Sequence, residues 1–447
     1  MRVQRRGRFD KVEVTADGRG LASHAGSALL VAVADKVGLT DALCEALAST
    51  RERRSAHDPG EVVRDLCVML ADGGDCLADL GALRDQEGLF GRVASNTTAW
   101  RVIDSLCGEG MLDRLRQARA RARERAWGLG ARPERVVLDL DATLITSHSD
   151  KEEARGNFKG GFGFHPMLCY LDESEEALAG MLRPGNAGAN TAADQIEVVD
   201  EALGQLPRSV VEQAELLVRT DSAGLTHDLL DHLHDANIRF SVGMDMTEDV
   251  RQAVRAIDDE DWVPAVSADG EQREKAFVAV LDLDLSAWPE GSRAICRRER
   301  AHPGAQLSLI DQDGWRNQVF MTDQQDPDIA LLDLRHRGHA RVEDRIRCGK
   351  QTGLENLPFR DFAANEVWLE LSLIAQDLVT STKRLALQTG LSRSEPKRLR
   401  YRLLHQAGRV ARSGRSTRLR LERSWPWAEA LVAAFERITS LPAPAPP

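Results

Sequence analysis

RVVLDLDAT, residues 135–143, sets two carboxylates on one side of an apolar strand. Val136–Leu140 has the composition of a short buried strand, and side chains two residues apart on a strand point to the same face. Asp139 and Asp141 therefore share a side. What that side faces decides how the rest of the chain is read.

Working outward, hydrophobic runs and helical periodicity alternate. Strands are expected at Val136–Leu140, His165–Leu171 and Leu178–Leu182, then a helix at Thr191–Leu206, a strand at Ala214–Thr220, a helix at Leu225–Ala236 and a strand at Ile238–Val242. This is the RNase H-like order. Antiparallel early strands joined to right-handed crossovers give one mixed α/β sheet flanked by helices, with the first strand central and the fourth beside it. LLVRTDSAG, residues 216–224, runs the fourth strand into Asp221 just before a turn containing Gly224. Asp141 and Asp221 are then expected to meet at the sheet edge. Two carboxylates that close repel unless protonated or bridged by cations, and a pair of hard divalent ions is the usual answer. Magnesium prefers such oxygen ligands. Asp139 reads as an additional ligand, as a support for the ligands or as a solvated acid; Asp141 is favoured because Thr143 and the strand end follow it.

A third carboxylate is available on the helix expected at His339–Lys350. HRGHARVEDRIRCGK, residues 336–350, carries Glu343 with His336, His339, Arg347 and Lys350 at −7, −4, +4 and +7. Those spacings place all five on one helical face.

Before the sheet, residues 1–130 read as a mostly helical DNA-binding region. A small terminal strand or hairpin around Phe9, Val12 and Val14 is followed by helical spacing in Gly26–Leu47, Pro59–Ala71 and Asp75–Leu83, and Ser95 supplies an N-cap before Trp100–Leu106. A helix-turn-helix array and an ordinary helical subdomain fit equally. Met111–Trp127 carries six arginines, Arg114, Arg116, Arg119, Arg121, Arg123 and Arg125, which either follow DNA phosphates or coat a solvated linker. After residues 131–244, the first part of the sheet, residues 245–330 read as a mostly β insertion: a helix near Asp249–Ile257, then strands at Ala276–Leu281, Ala294–Arg297, Leu307–Ile310 and Gln318–Met321. Trp315 in it either stacks on DNA bases or sits in a small core. Residues 331–380 return to the sheet with the Glu343 helix and the one after it, Asn365–Leu387. Residues 381–447 are a basic end with a strand pair, Gly408–Arg412 and Thr417–Leu421, an apolar helix and a Pro-rich tail.

Composition sets the outer limits. The 447 residues are 42% hydrophobic and 29% charged, the balance of a folded globular chain. The longest apolar run, Ala28–Ala34, falls well short of a membrane helix and Met1–Arg8 leads into no signal-peptide core, so a cytoplasmic protein is expected. Seven scattered cysteines show no zinc-ligand spacing. The net charge of −11 argues against a uniformly basic nucleic-acid binder. Local charge says otherwise: Lys383–Arg423 holds 13 Lys or Arg against Glu395 and Glu422. Arg398, Arg400 and Arg402 in that segment are candidates for releasing counterions from DNA phosphates, with Tyr401 available for stacking; a solvated basic face is the plainer alternative.

Asp141-Ala142-Thr143, Asp221-Ser222-Ala223-Gly224 and Glu343 with Lys350 seven residues on resemble the acidic triad and signature helix of DDE transposases of bacterial insertion sequences. HPMLCYLD (165–172), LRPGNAGAN (182–190), GLENLPF (353–359) and PKRLRYRLLH (396–405) resemble the insertion sequence 1380 family in particular. The chain departs from related groups in placing His336 and His339 where they have tyrosine and arginine. The resemblance implies that Asp141, Asp221 and Glu343 hold two Mg2+ ions, or Mn2+, for cleavage at transposon ends and transfer of the freed 3′-hydroxyl into target DNA. It further implies DNA contacts from Lys350, Arg347 and His339, double-stranded inverted-repeat ends and target DNA as partners, a homodimer on DNA, and a bacterial protein at the nucleoid when bound. Another RNase H-fold nuclease, or a domesticated DNA-binding regulator without catalysis, are the rival readings.

Overall fold

The computed structural model describes residues 12–51, 55–300, 314–414 and 416–444. Nine strands form its main sheet: β1 Val136–Ala142, β2 Met167–Leu171, β3 Ala177–Met181, β4 Leu216–Thr220, β5 Arg239–Met244, β6 Val263–Val266, β7 Gln272–Leu281, β8 Arg293–Arg300 and β9 Trp315–Thr322. Their order across the sheet is β6-β7-β8-β9-β5-β4-β1-β2-β3. β1 pairs antiparallel with β2 and parallel with β4, and β4 parallel with β5. The strands of residues 263–322 continue the same sheet, because β9 adds antiparallel to β5. β6, which contains Pro264, lies at the edge, where a residue with no N–H to donate is tolerated. Leu307–Ile310 and Phe9 lie outside the described residues.

Six helices position the site: α1 Met111–Ala126, α2 Ala192–Gly204, α3 His227–Asp235, α4 Ile329–Arg337, α5 Arg341–Gly349 and α6 Phe362–Leu385. α2 and α3 are the crossovers flanking β4, and α3 starts at Thr226, whose hydroxyl caps the Leu229 N–H. The helix expected through Glu343 is interrupted: a 3₁₀ turn at Gly338–Ala340 separates α4 from α5, so His336 and Glu343 lie on different helices. Similarly, Gly26–Leu47 is split into Ala28–Lys36 and Leu39–Ala46 at Gly38, which takes φ 72°, a left-handed conformation that stops a helix. Asp75–Leu83 yields only a 3₁₀ turn at Leu77–Leu80 and the start of a four-residue helix at Gly81.

The N-terminal helices share one hydrophobic core with the sheet. Leu66 and Leu70 from Pro59–Asp72 are fully buried with Trp368 and Leu371 of α6 and with Leu138 of β1. On α1 each of the six arginines has a protein partner. Arg119 and Arg123 are buried and paired with Glu370, Asp377 and Glu176; Arg116 meets Glu201, Arg121 meets Glu45, Arg114 donates to Ser49 and Arg125 to the Lys36 carbonyl. Guanidinium groups desolvated to that extent persist only with such partners. The basic end folds as a hairpin, Gly408–Ser413 with Ser416–Leu421, to which Leu21–Ala22 adds a third strand. Among the described residues no helix is long and apolar enough to cross a membrane.

Candidate active site

β1 resolves its two acids into different environments. Asp139 is 1% exposed and lies opposite Arg219 in the parallel β1–β4 register. Arg219 donates to both its oxygens, at 2.8 Å from Nε and 2.7 Å from Nη2, and His339 Nδ1 lies 2.9 Å from Oδ1. The same guanidinium reaches Asp172 at 2.8 Å and the Arg335 carbonyl at 2.5 Å. Gly338 permits this approach, because a Cβ there would stand 2.2 Å from Arg219 Nη1. Burial disfavours the ionised form of Asp172, yet hydrogen bonds and charge from Arg341 and Arg219 hold its pKa below the usual carboxylate value. Both oxygens of Asp139 are thus engaged in a buried ion-pair network.

Asp141 sits two residues on, near the strand end, half-buried and accepting the Ala142 N–H at 2.7 Å. Asp221 follows β4 directly, exposed, with one oxygen accepting the Ala223 N–H at 3.0 Å. Its turn rests on Gly243 of β5, where a Cβ would come within 2.8 Å of the Ser222 nitrogen. Glu343 projects from the first turn of α5 and is exposed. Burial pushes the Asp141 pKa up to about 6; the Ala142 N–H and His339 oppose it, and the charges of Asp221 and Glu343 add smaller upward contributions. Asp141 thus lies within electrostatic reach of both Asp221 and Glu343. They form an open set: among the described residues, the groups whose candidate ligand atoms all fall within 4.8 Å are two others, His24–Asp72–His405 and Asp75–Cys76–Asp79. Carboxylate oxygens exposed to water on one side suit a hard divalent ion that retains waters.

Asp221 and Glu343 open onto a cleft of about 870 Å³ whose opposite wall comes from β7, β8 and β9. Arg273, Arg297, Arg316 and Arg337 line it, with Asn317 and Gln318. Along that wall Arg273 and Arg297 pair with Glu299, and Arg297 and Arg337 with Asp333, while Arg316 is exposed. His336 also lines it, stacked on Phe320 at 4.3 Å and 3.0 Å from Ser241 Oγ. Burial, then His339, Arg219 and Arg297, depress its pKa to about 3, so it is neutral at physiological pH.

The expected DNA-contact residues divide. Arg398 is exposed, and Arg402 is partly so, lying 4.8 Å over the Trp427 ring. Tyr401 is exposed and edge-on to Trp425 and Trp427. Arg400 is corrected: it is buried and donates to the Gln351 carbonyl at 2.9 Å. Lys350 is likewise turned to protein, donating to the Leu144 carbonyl at 3.0 Å, and burial lowers its pKa. His339 has one ring nitrogen committed to Asp139 while it lines the cleft. Arg347 is exposed but bridges Asp344 at 2.8 Å and Glu395 at 2.9 Å. Trp315, partly exposed, opens β9 with Arg298 and Arg300 over its ring at 5.0 and 4.2 Å.

Arg219 and Asp172, which fix the Asp139 side of β1, were not singled out from sequence. A signal existed: an arginine inside the apolar run Leu216–Thr220 demands a buried counter-charge. The cleft arginines carried no local signal, because only pairing β9 to β5 brings them beside Asp221.

Comparison with known proteins adds the family. The family model described as transposase DDE domain group 1 matches residues 4–443. No curated protein matches. Among solved structures, the chain is similar to one described as a cryo-EM structure of piggyBac transposase synaptic complex with hairpin DNA, at 9% identity and a TM-score of 0.44, covering 95% of this chain and 86% of that one. A family match that spans nearly the whole chain places this protein in the group 1 family of transposase DDE domains.

Proposed function

We propose that this protein is a DNA transposase that cuts at transposon ends and transfers the freed strand into target DNA, with Asp141, Asp221 and Glu343 as its metal-binding triad. The observation that carries the reading is the placement of the three acids: Asp141 near the end of β1, Asp221 directly after the parallel neighbouring strand β4, and Glu343 of α5 lining the same cleft as Asp221. The strand order β3-β2-β1-β4-β5 supports an RNase H-like core. Two Mg2+ or Mn2+ ions bound there would supply Lewis-acid activation of the attacking oxygen and stabilise the leaving one. The chain does the rest. Arg219 and Asp139 fix β1, Gly243 seats the Asp221 turn, and the exposed Arg316 offers charge to the phosphates of a strand lying in the cleft. The insertion sequence 1380 affiliation, a homodimer on DNA and a bacterial cytoplasmic setting belong to the same reading. It is tested by excision from a donor plasmid carrying the DNA that flanks this gene, which should depend on Mg2+ and on all three acids.

Cation binding should show in stability. The folded-state pKa of Asp141 lies above the ordinary 3.8, at about 6, so the stability it contributes is complete below the ordinary value and is lost as pH rises through 6. A bound cation reverses that loss. Thermal melts with and without Mg2+ should therefore show a larger stabilisation at pH 8 than at pH 5, and Asp141→Asn should abolish the difference. Equal Mg2+ shifts at both pH values would count against the triad.

For the basic end, replacing Arg398 and Arg402 with alanine should weaken binding to all DNA sequences alike and flatten the salt dependence by up to roughly two charges. Arg400→Ala should leave the salt slope unchanged and lower stability instead, because its guanidinium is buried. Fluorescence anisotropy over a salt series separates the two outcomes.

A further inference from the structure

We propose that His24, Asp72 and His405 bind a borderline transition metal ion of the zinc type, at a site separate from the carboxylate triad. The three residues come from distant parts of the chain. His24 precedes the turn Ala25–Ser27, Asp72 ends the helix Pro59–Asp72, and His405 follows the helical segment that closes at Leu404. Their candidate ligand atoms all lie within 4.8 Å of one another. His24 Nδ1 stands 2.5 Å from Asp72 Oδ2, His405 Nε2 stands 3.3 Å from Oδ1 and 2.9 Å from the Asp72 carbonyl oxygen, and the two imidazoles stack at 4.1 Å. Two imidazole nitrogens and one carboxylate are a donor set for zinc, cobalt or nickel, with water completing a tetrahedron, whereas Mg2+ prefers oxygen alone.

The surroundings support a built site. Asp72 is 5% exposed, and Ser27 Oγ donates to its Oδ1 at 2.5 Å, the kind of outer hydrogen bond that orients a metal-binding carboxylate. Arg400 adds positive charge nearby. His405 is exposed, which leaves an entry path.

The position gives the ion a structural role. The Ala25 N–H donates to the Gln406 carbonyl at 3.0 Å, and Leu21–Ala22 pairs with Gly408–Arg409 of the basic hairpin. An ion held by His24, Asp72 and His405 would cross-link the start of the helical region to the basic end.

The test uses full-length Asp141→Asn protein, which removes an acid of the triad, stripped with chelator and titrated with Co2+ and Zn2+. One saturable equivalent is expected, with a visible Co2+ ligand-field band that Zn2+ displaces. His24→Ala and His405→Ala should each weaken it by more than about 10-fold, and Ser27→Ala by about 10-fold. No saturable equivalent, or unchanged affinity in both histidine variants, would overturn the proposal. X-ray absorption at the zinc edge of the loaded protein decides without histidine variants: two imidazoles per zinc are expected, and a Zn–S distance of about 2.3 Å would place the ion on a cysteine instead.

Discussion

Asp141→Asn is expected to lower Mg2+-dependent cleavage and strand transfer by about three orders of magnitude or more, while binding to transposon-end DNA persists. The substitution preserves volume and removes one anionic ligand from a set that acts as a unit, and such sets lose most of their rate enhancement when one member fails. It also relieves the penalty that burial and two neighbouring acids impose on the ionised form, so the metal-free variant should melt no lower than the parent. A labelled-end cleavage assay and a gel shift run side by side measure both parts. Full activity of the variant would remove Asp141 from the centre.

Asp139→Ala should behave in the opposite way, costing about 3 kcal/mol of stability. Breaking a buried pair by removing one partner costs roughly 3–5 kcal/mol, because the remaining charge stays desolvated. The lower end applies, since Arg219 keeps Asp172 at 2.8 Å and the Arg335 carbonyl. Folded Asp139→Asn protein should retain more cleavage activity than Asp141→Asn. Urea unfolding and the cleavage assay on both variants give the ranking, and a reversed ranking would move the ligand to Asp139.

What the sequence made legible was local. The hydrophobic runs around Asp139 and Asp221 marked β1 and β4, because strands buried on both faces read as continuous apolar segments. The spacing of Thr191–Leu206 gave α2 within two residues at each end. Long-range consequences were not legible. Nothing in the arginine run of α1 tells whether its partners are phosphates or the carboxylates of Glu370 and Asp377, some 250 residues away, until α6 is laid against it. Arg400 and Lys350 looked free for the same reason, and both are spent on backbone carbonyls of other segments. The break at Gly338–Ala340 was missed because the periodicity of residues 336–350 is continuous, while the chain turns there to let Arg219 reach the Arg335 carbonyl.

The account rests on three acids from separate elements holding the same cations, and Glu343, supplied by α5 and fully in solvent reach, tests it most directly. Mn2+ binding followed by electron paramagnetic resonance, in the parent and in Glu343→Gln, makes the comparison without DNA or catalysis. The account predicts that Glu343→Gln weakens Mn2+ binding by at least about 10-fold, since loss of a group that only orients a metal ligand already costs that much. Unchanged Mn2+ affinity and stoichiometry in Glu343→Gln would contradict it.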